Sequence, residues 1–215
     1  MVMKKVLCSL CAAALMLAGT NAFAQVSLGA GYVNSTTTVT SGSSKTTSPA
    51  NGFYAGLEFN APVAGEILGL SAGVNYEYLQ SKSYTLGSVL AGDYKEQFLN
   101  VPIHVNAGYN LAEGIRLFAF AGPTFSYALS GKVEPTVSLG SFKIGTEYDV
   151  YKDSNWNRFD VMVGGGVGLD LMGKFRVTVG YDAGMFNKLP KDSDGNDPSS
   201  TITRNKLHAG VAFLF

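Results

Sequence analysis

Apolar and polar residues alternate with a period of two along most of the chain. In "GFYAGLEFNA", residues 52–61, every second position from Phe53 to Ala61 is apolar, whereas the positions between them carry Tyr, Gly, Glu and Asn. The stretch "RFDVMVGGGVGLDL", residues 158–171, repeats this pattern. Successive side chains of a β-strand point to opposite faces, so the pattern predicts strands with one apolar face.

Eight segments follow this alternation and are predicted to be strands. They span residues 26–33, 52–61, 68–80, 96–109, 115–129, 158–171, 174–186 and 203–215. Each is near or above the roughly 9–11 residues that a tilted strand needs to cross a bilayer. An even number of such strands is typical of bacterial transmembrane barrels.

The connections between these segments alternate in length. Long ones, rich in Ser, Thr, Lys, Asp and Gly, span residues 34–51, 81–95, 130–157 and 187–202. Short ones lie near residues 62–67, 110–114 and 172–173. Such an alternation places the long connections at one rim and the short ones at the other. The sequence therefore predicts an all-β fold, an eight-stranded antiparallel up-and-down transmembrane β-barrel with long extracellular loops.

The charged residues inside the predicted strands all lie opposite the apolar face. They are Glu58, Glu77, Arg116, Asp160, Asp170, Arg176 and Asp182. A β-sandwich in water also alternates, but its apolar face meets another sheet. Here the polar faces are rich in Gly, which suits the crowded interior of a narrow barrel. The apolar faces would then meet lipid, and closure of the barrel leaves no unpaired edge in the bilayer.

We expect these charges to form a polar network in the lumen, together with both histidines and a lysine of the last strand. The predicted members are Glu58, Glu77, His104, Arg116, Asp160, Asp170, Arg176, Asp182, Lys206 and His208. Eight strands leave an interior just wide enough for side chains, which favours a packed network. A gate or a proton relay is the alternative. The pairing of acids with bases stays open at this stage.

Aromatic residues lie near the ends of the predicted strands, where their rings favour the membrane interface. Those expected at the outer rim are Phe53, Tyr78, Tyr127 and Phe159. Those expected at the periplasmic rim are Phe59, Tyr109, Phe175, Phe213 and Phe215.

The first residues of the chain have the pattern of a secretory signal. Lys4 and Lys5 precede an apolar run over residues 6–19, and an Ala-Phe-Ala motif follows at residues 22–24. This pattern predicts cleavage before Gln25, and residues 25–215 would then form the barrel domain.

Composition excludes several classes of function for the processed chain. Cys8 and Cys11 both lie in the signal, so no disulfide, thiolate metal site or Cys nucleophile is expected. Removal of Lys4 and Lys5 leaves 14 of the 16 basic residues against 16 acidic ones, a net charge of −2. No basic run indicates nucleic-acid binding. Charged residues make up only 15% of the chain, against about 25% in soluble domains.

No constellation of residues predicts catalysis, a metal site or a cofactor. His104 and His208 have no nucleophile at a suggestive spacing, and two histidines are a poor metal site. The run "DSDGND", residues 192–197, lacks the acid spacing and terminal Glu of a calcium loop, so we expect a solvated turn there, with weak calcium binding at a cell surface as the alternative. The Ser/Thr-rich stretch 34–51 is expected to be a flexible loop, with adhesion or glycan attachment as the alternative.

Three stretches resemble a known family. The chain ends on Phe215, preceded at alternate positions by Leu207, Ala209, Val211 and Phe213. "FLNVPIHVNAGYNL" followed by "IRLFAFAGPTFSYAL" resembles a pair of central strands, and "RFDVMVGGGVGLDL" resembles the next strand. Together they resemble the OmpX-like small outer-membrane β-barrel proteins, the "porin family" of Gram-negative bacteria. In that family the alternating end, here Leu207, Val211, Phe213 and Phe215, looks like the C-terminal assembly signal.

The resemblance implies a bacterial outer-membrane protein, exported by its signal peptide and inserted by the barrel-assembly machinery. We expect a non-enzymatic monomer with a structural or surface-interaction role through its long extracellular loops. Its expected partners are outer-membrane lipid, lipopolysaccharide and an extracellular ligand of unknown kind, without nucleic acid or cofactor. The alternatives are a narrow passage or binding site for small or apolar solutes, and a lipid-modifying outer-membrane enzyme.

Overall fold

The computed structural model describes most of the chain after the predicted signal. The described residues are 25–65, 67–86, 90–135, 138–139, 142–143, 148–153, 156–190 and 198–215. The signal and the "DSDGND" run therefore lie outside the described residues. No helix in this part of the chain is long and apolar enough to cross a membrane.

The described residues are almost entirely β-structure. The elements are β1 (Gln25–Ser41), β2 (Ser44–Ala64), β3 (Leu68–Leu86), β4 (Leu90–Ala112), β5 (Ile115–Pro135), β6 (Ser138–Leu139), β7 (Phe142–Lys143), β8 (Tyr148–Asp149), α1 (Val150–Asp153), β9 (Phe159–Leu171), β10 (Phe175–Gly184) and β11 (Ser200–Leu214).

The long strands of the described chain form a closed ring. Each is antiparallel to its neighbours, in the order β1, β2, β3, β4, β5, β9, β10 and β11. The ring closes where β1 pairs with β11, from the pair Ser27–Leu214 to the pair Ser41–Ser200. The eight-stranded antiparallel up-and-down barrel predicted from the sequence is confirmed.

The barrel has its apolar residues on the outside. Leu57 of β2 is 48% exposed and Val167 of β9 is 56% exposed, whereas the carboxylate-bearing Asp160 of β9 has no exposed surface. This arrangement is the reverse of a soluble protein, and lipid would cover the apolar belt. The alternation read from the sequence therefore assigns the correct face to each of these strands.

The connections at the rim expected to face the periplasm are short, as predicted. The β9–β10 connection spans residues 172–174. Met172 and Gly173 have φ angles of 54° and 63°, and the Lys174 amide donates to the Leu171 carbonyl at 3.0 Å. Two consecutive positive φ angles are the signature of a type I′ turn, which matches the twist of a hairpin.

The strands extend further at the outer end than the sequence predicted. The stretch 34–51, expected to be a flexible loop, continues as β1 and β2 with only residues 42–43 between them. Gly42 takes a φ of 57°, which glycine adopts without strain. The prediction was wrong because the apolar alternation ends where lipid contact ends. Beyond that point the strands continue, and Ser and Thr residues occupy both of their faces.

Beyond the membrane belt the wall divides into two sheets. The β2–β3 pairing stops at Asn51–Gln80, whereas β1 and β2 remain paired as far as Ser41–Ser44. The first outer sheet comprises residues 34–41, 44–51 and 200–205, from β1, β2 and β11. The second outer sheet comprises residues 81–86, 90–97, 130–135 and 148–149, from β3, β4, β5 and β8.

Candidate functional site

The barrel interior is a column of polar side chains. All ten members of the predicted lumen network lie on the inner face, but the structure separates them into four groups. The groups are Glu58, Arg116, Asp170 and Arg176 near the periplasm; His104, Asp182 and His208 in the middle; Glu77 and Lys206 above them; and Asp160 near the outer end.

The periplasmic layer is built around Arg176. Its Nε and Nη2 atoms donate to the two oxygens of Asp170 at 2.7 and 3.0 Å. Its Nη1 atom reaches across the lumen from β10 to β2, where it donates to Asn60 at 2.5 Å and to Glu58 at 3.3 Å. Bidentate pairing of this kind fixes the guanidinium plane as well as its charge.

Strand register explains why this layer forms. Asp170 of β9 lies directly opposite Arg116 of β5 and Arg176 of β10. The second pair is looser, since Arg116 Nη1 lies 3.3 Å from Asp170 Oδ2. The Phe118 ring packs against both guanidiniums, with its centroid 4.6 Å from Arg176 Cζ and 5.5 Å from Arg116 Cζ.

The upper layer ties β11 to β3 across the lumen. Lys206 Nζ lies 2.7 Å from Glu77 Oε2, and both side chains are buried. Asn100 donates to the same Glu77 oxygen at 2.9 Å and accepts a hydrogen bond from Ser126 at 2.6 Å. The layer therefore crosses the lumen and neutralises its own charge.

A further charged group lies above this layer, and its acid, Glu96, was missing from the predicted network. Arg204 is 2% exposed, and its Nη1 atom lies 3.5 Å from Glu96 Oε2. Its Cζ atom is 3.7 Å from the centroid of the Phe98 ring. The Tyr151 hydroxyl donates to the other Glu96 oxygen. The sequence signal for Glu96 was its spacing of two residues from the inward-facing Phe98 and of four from Asn100. It was missed because residue 96 was the first residue of the predicted strand.

An apolar cluster closes the outer end of the described barrel. Its members are Val33, Ala50, Leu79, Tyr94, Phe98, Ala128, Val133, Val150, Tyr151, Trp156 and Ile202. Three of them come from the connection after β5, which was predicted to be a long extracellular loop. The Asp149 carboxylate accepts a hydrogen bond from the Tyr151 amide at 2.9 Å, at the start of α1. Apolar side chains in this connection lie beyond the lipid, so they bury themselves in the barrel mouth instead.

Asp160 pairs with a residue that sequence analysis did not single out. Lys188 Nζ, from the connection after β10, lies 2.9 Å from Asp160 Oδ2. Burial, reinforced by the nearby positive charge of Arg204, lowers the pKa of Lys188 from 10.5 to about 8, while Asp160 opposes the shift. No sequence signal marks Lys188, because its position depends on how the connection folds back.

A cavity with a water-accessible volume of about 130 Å³ lies between the periplasmic and upper layers. His208 Nε2 is 3.6 Å from Asp182 Oδ2 at its wall. The Phe120 ring centroid lies 5.1 Å from that of His104 and 6.3 Å from that of His208. A Cβ atom at Gly180 would approach His208 Cε1 to 2.6 Å and Phe120 Cζ to 2.9 Å, so the glycine makes room for both rings. A wider recess of about 620 Å³ opens on the periplasmic side of Arg176.

The predicted C-terminal signal lies on the outer surface. Leu207, Val211, Phe213 and Phe215 are all exposed to the lipid side, Phe215 by 69%. Phe213 makes an edge contact with Phe215, with ring centroids 5.0 Å apart. The Phe215 amide donates to the Val26 carbonyl at 2.8 Å. These residues are accessible to an assembly factor, and their role as a signal stays a prediction.

Within the described ranges, no group of three or more His, Cys, Asp or Glu residues is arranged to hold a metal ion. The acidic run 192–197 is outside those ranges. The candidate site is therefore a charge-paired lumen with a small polar cavity and an apolar outer cap.

Comparisons with known proteins give a family and several similar solved structures. A family model described as outer membrane protein beta-barrel domain matches residues 19–189. No curated protein matches the sequence. The solved structure of the attachment invasion locus protein Ail of Yersinia pestis is 13% identical, with 89% of this chain and 99% of that chain covered and a TM-score of 0.41.

Two other solved structures give similar values. Neisserial surface protein A is 12% identical, with 87% of this chain and 97% of that chain covered and a TM-score of 0.45. The outer membrane enzyme PagL is 12% identical, with 83% and 97% covered and a TM-score of 0.39.

Proposed function

The chain belongs to the outer membrane protein beta-barrel domain family, and we propose that this outer-membrane β-barrel acts at the cell surface through its two outer sheets, without catalysis. Its proposed partners are lipopolysaccharide or an extracellular ligand that contacts these sheets. Proposed partners in the membrane are lipid along the apolar belt and, during insertion, the barrel-assembly machinery.

The closed outer end is the observation that carries this proposal. Phe98 and Trp156 belong to a buried apolar cluster at the mouth, and the Lys206–Glu77 pair crosses the lumen below it. Free flow of solute through such a barrel is disfavoured, because the buried charge pairs that cross the lumen would have to be broken. The outer sheets extend past this closure, which makes them the surface available to partners.

The first outer sheet has the chemistry of a polar contact surface. Thr38 of β1 lies between Thr203 of β11 and Thr47 of β2, and the buried Ser35 and Thr37 show that this row faces outward. Hydroxyl groups both donate and accept hydrogen bonds, so the row suits a polar partner such as a saccharide or a peptide backbone.

Removal of these hydroxyls tests the proposal. In Thr36→Val/Thr38→Val/Thr40→Val the β-propensity and shape are retained while three hydroxyls are lost. Binding of lipopolysaccharide or whole cells to the protein in nanodiscs should fall in this variant. The matched triple variant to Ser, which keeps the hydroxyls, should bind as the wild type does. Equal binding by all three proteins would refute a contact through this row.

A narrow passage is the second candidate, favoured by the cavity and the periplasmic recess that follow one another along the lumen. It predicts steady conductance in planar bilayers, with an increase when the Tyr151 side chain is removed from the cap. The surface proposal predicts no steady conductance by the wild type. A lipid-modifying activity would instead alter lipid A on expression and disappear in His104→Ala.

A further inference from the structure

Three residues that line the mid-lumen cavity carry polar atoms without a hydrogen-bond partner. Within the described chain, His104 Nε2, Asp182 Oδ1 and Glu77 Oε1 have no hydrogen-bond partner, and all three residues line the cavity. Their exposed fractions are 8%, 6% and 3%. Two of the three atoms are carboxylate oxygens, which only accept hydrogen bonds when ionised. The cavity therefore suits a guest that donates hydrogen bonds.

The cavity wall also carries excess negative charge. The acidic and basic side chains that line it are Glu58, Glu77, Asp182, Arg176 and Lys206, whose formal charges sum to −1 when the histidines are neutral. Lys206 lies opposite Asp182 in register, but its Nζ atom is committed to Glu77 at 2.7 Å. His208 Nε2 lies 3.6 Å from Asp182 Oδ2 and forms an ion pair with it only when the imidazole is protonated. A buried carboxylate without a permanent cation is costly, so a cationic guest would be stabilised here.

Aromatic rings complete the recognition surface. Phe120 lies between the rings of His104 and His208, and Tyr54 meets His208 edge-on with centroids 6.3 Å apart. Aromatic faces attract organic cations and accept their alkyl groups. A metal ion fits less well, because the described residues offer no group of three metal-binding side chains.

The periplasmic side offers a route to the cavity. Arg176 borders both the cavity and the wider recess that opens below it. The charges of Arg176 and Arg116 are balanced there by Asp170 and Glu58. A small cation entering from the periplasm therefore meets a neutral layer.

We propose that the mid-lumen cavity is a binding site for a small protonated amine, with the ammonium group donating to Asp182 Oδ1 and the alkyl group against Phe120. This site is independent of the proposed role of the outer sheets. Ammonium and short primary alkylamines share the required chemistry. Asp182 is the principal acceptor, because its charge has no permanent partner among the described side chains.

The test is titration of the full-length processed barrel in nanodiscs with methylammonium, followed through the ¹⁵N signals of the two histidine rings. We expect saturable shifts at His104 and His208. Asp182→Asn should weaken binding by about tenfold to a hundredfold, the usual effect of losing a hydrogen bond to a charged group. Asp153→Asn, which removes an exposed acid outside the lumen, should bind as the wild type does. Heat-modifiable gel mobility checks that each variant is folded.

Comparison of guests keeps the proposal testable if Asp182→Asn does not fold. Methanol is close to methylammonium in size but neutral, and potassium carries the charge without N–H groups. Saturation by methylammonium alone supports the proposal. Equal effects of methanol would indicate a cavity that merely holds water, and equal effects of potassium would indicate a general cation site. Either result, or no saturable shift at all, would overturn it.

Discussion

The Nζ atom of Lys188 lies 2.9 Å from Oδ2 of Asp160, and the two side chains are 4% and 0% exposed. The pair joins the connection after β10 to the start of strand β9 at the outer end of the barrel. The Lys188 amide also donates to the Ile202 carbonyl at 2.9 Å. A charged side chain thus fixes the connection on the wall where β9 and β10 are shorter than their neighbours.

Removal of one partner of this pair should be costly. Lys188→Met leaves the Asp160 carboxylate buried and uncompensated, so we expect a loss of about 3–5 kcal/mol in the free energy of unfolding. The double variant Asp160→Asn/Lys188→Met should recover much of this loss. Denaturant unfolding in detergent micelles measures both. Lys174→Met, at an exposed periplasmic turn, should stay within about 0.5 kcal/mol of the wild type. A small effect in Lys188→Met would mean that water reaches the pair.

The pH dependence of stability should carry the signature of Lys188. Burial lowers its pKa from 10.5 to about 8, so the unfolded chain binds more protons than the folded one between these values. Stability contributed by this group must then rise as the pH increases from about 8 to 10.5. The difference in unfolding free energy between the wild type and Lys188→Met should shift in favour of the wild type over this range. A flat difference would show that the amine titrates as it does in water.

The lipid-facing assignment can be tested at Val167. This residue is 56% exposed and pairs with Val179 and Ala119, near the middle of β9. Val167→Arg should cost about 2–4 kcal/mol in a refolded bilayer preparation, since it places a charge at the membrane midplane. The matched variant Thr38→Arg, on the first outer sheet, should refold with wild-type stability. Equal stability of both would contradict the position of the membrane belt.

The periplasmic layer predicts an order of effects for its two arginines. Arg176 holds Asp170 through two hydrogen bonds and also binds Glu58 and Asn60, whereas the contact of Arg116 with Asp170 is 3.3 Å long. Arg176→Ala should therefore destabilise the barrel by about 3–5 kcal/mol, and Arg116→Ala by clearly less. Urea unfolding of the two variants decides the order. The reverse order would mean that Arg116 is the main partner of Asp170.

Sequence periodicity was sufficient to predict the barrel and the inward orientation of its charged residues. Lipid favours apolar residues and the lumen favours polar ones, so alternate residues of each strand differ in polarity. The contacts of Asp170 with Arg116 and Arg176 follow from strand register, which the sequence alone left open. The contact of Lys188 with Asp160 lay beyond prediction for a different reason. It depends on a connection whose path is set by tertiary packing, not by local alternation.

The prediction of a loop in place of the outer parts of β1 and β2 was also wrong for a physical reason. Beyond Tyr32 and Phe53 neither face of the β1–β2 hairpin meets lipid, so the apolar signal disappears while the backbone pairing continues. Ser and Thr residues support such strands through their β-propensity and hydrogen bonding. The same composition in a single sequence also describes a flexible loop, and only the pairing of Thr38 with Thr47 and Thr203 distinguishes the two.

The end of the chain should matter more for assembly than for the finished barrel. Phe215 makes one ring contact with Phe213 and one backbone hydrogen bond to Val26, and its side chain is 69% exposed. Its deletion should therefore cost no more than the roughly 1.5–3 kcal/mol of one large apolar side chain. If the alternating end from Leu207 is read by the assembly machinery, loss of Phe215 should lower outer-membrane levels in cells far more than refolding yield in detergent.

The amount in the outer-membrane fraction and heat-modifiable gel mobility after refolding measure the two effects on one variant. The control is Phe175→Ala, which removes a similar aromatic ring at the same rim from a strand that is not the last one. Equal losses in both assays for both variants would make Phe215 an ordinary girdle residue and leave the assembly signal elsewhere.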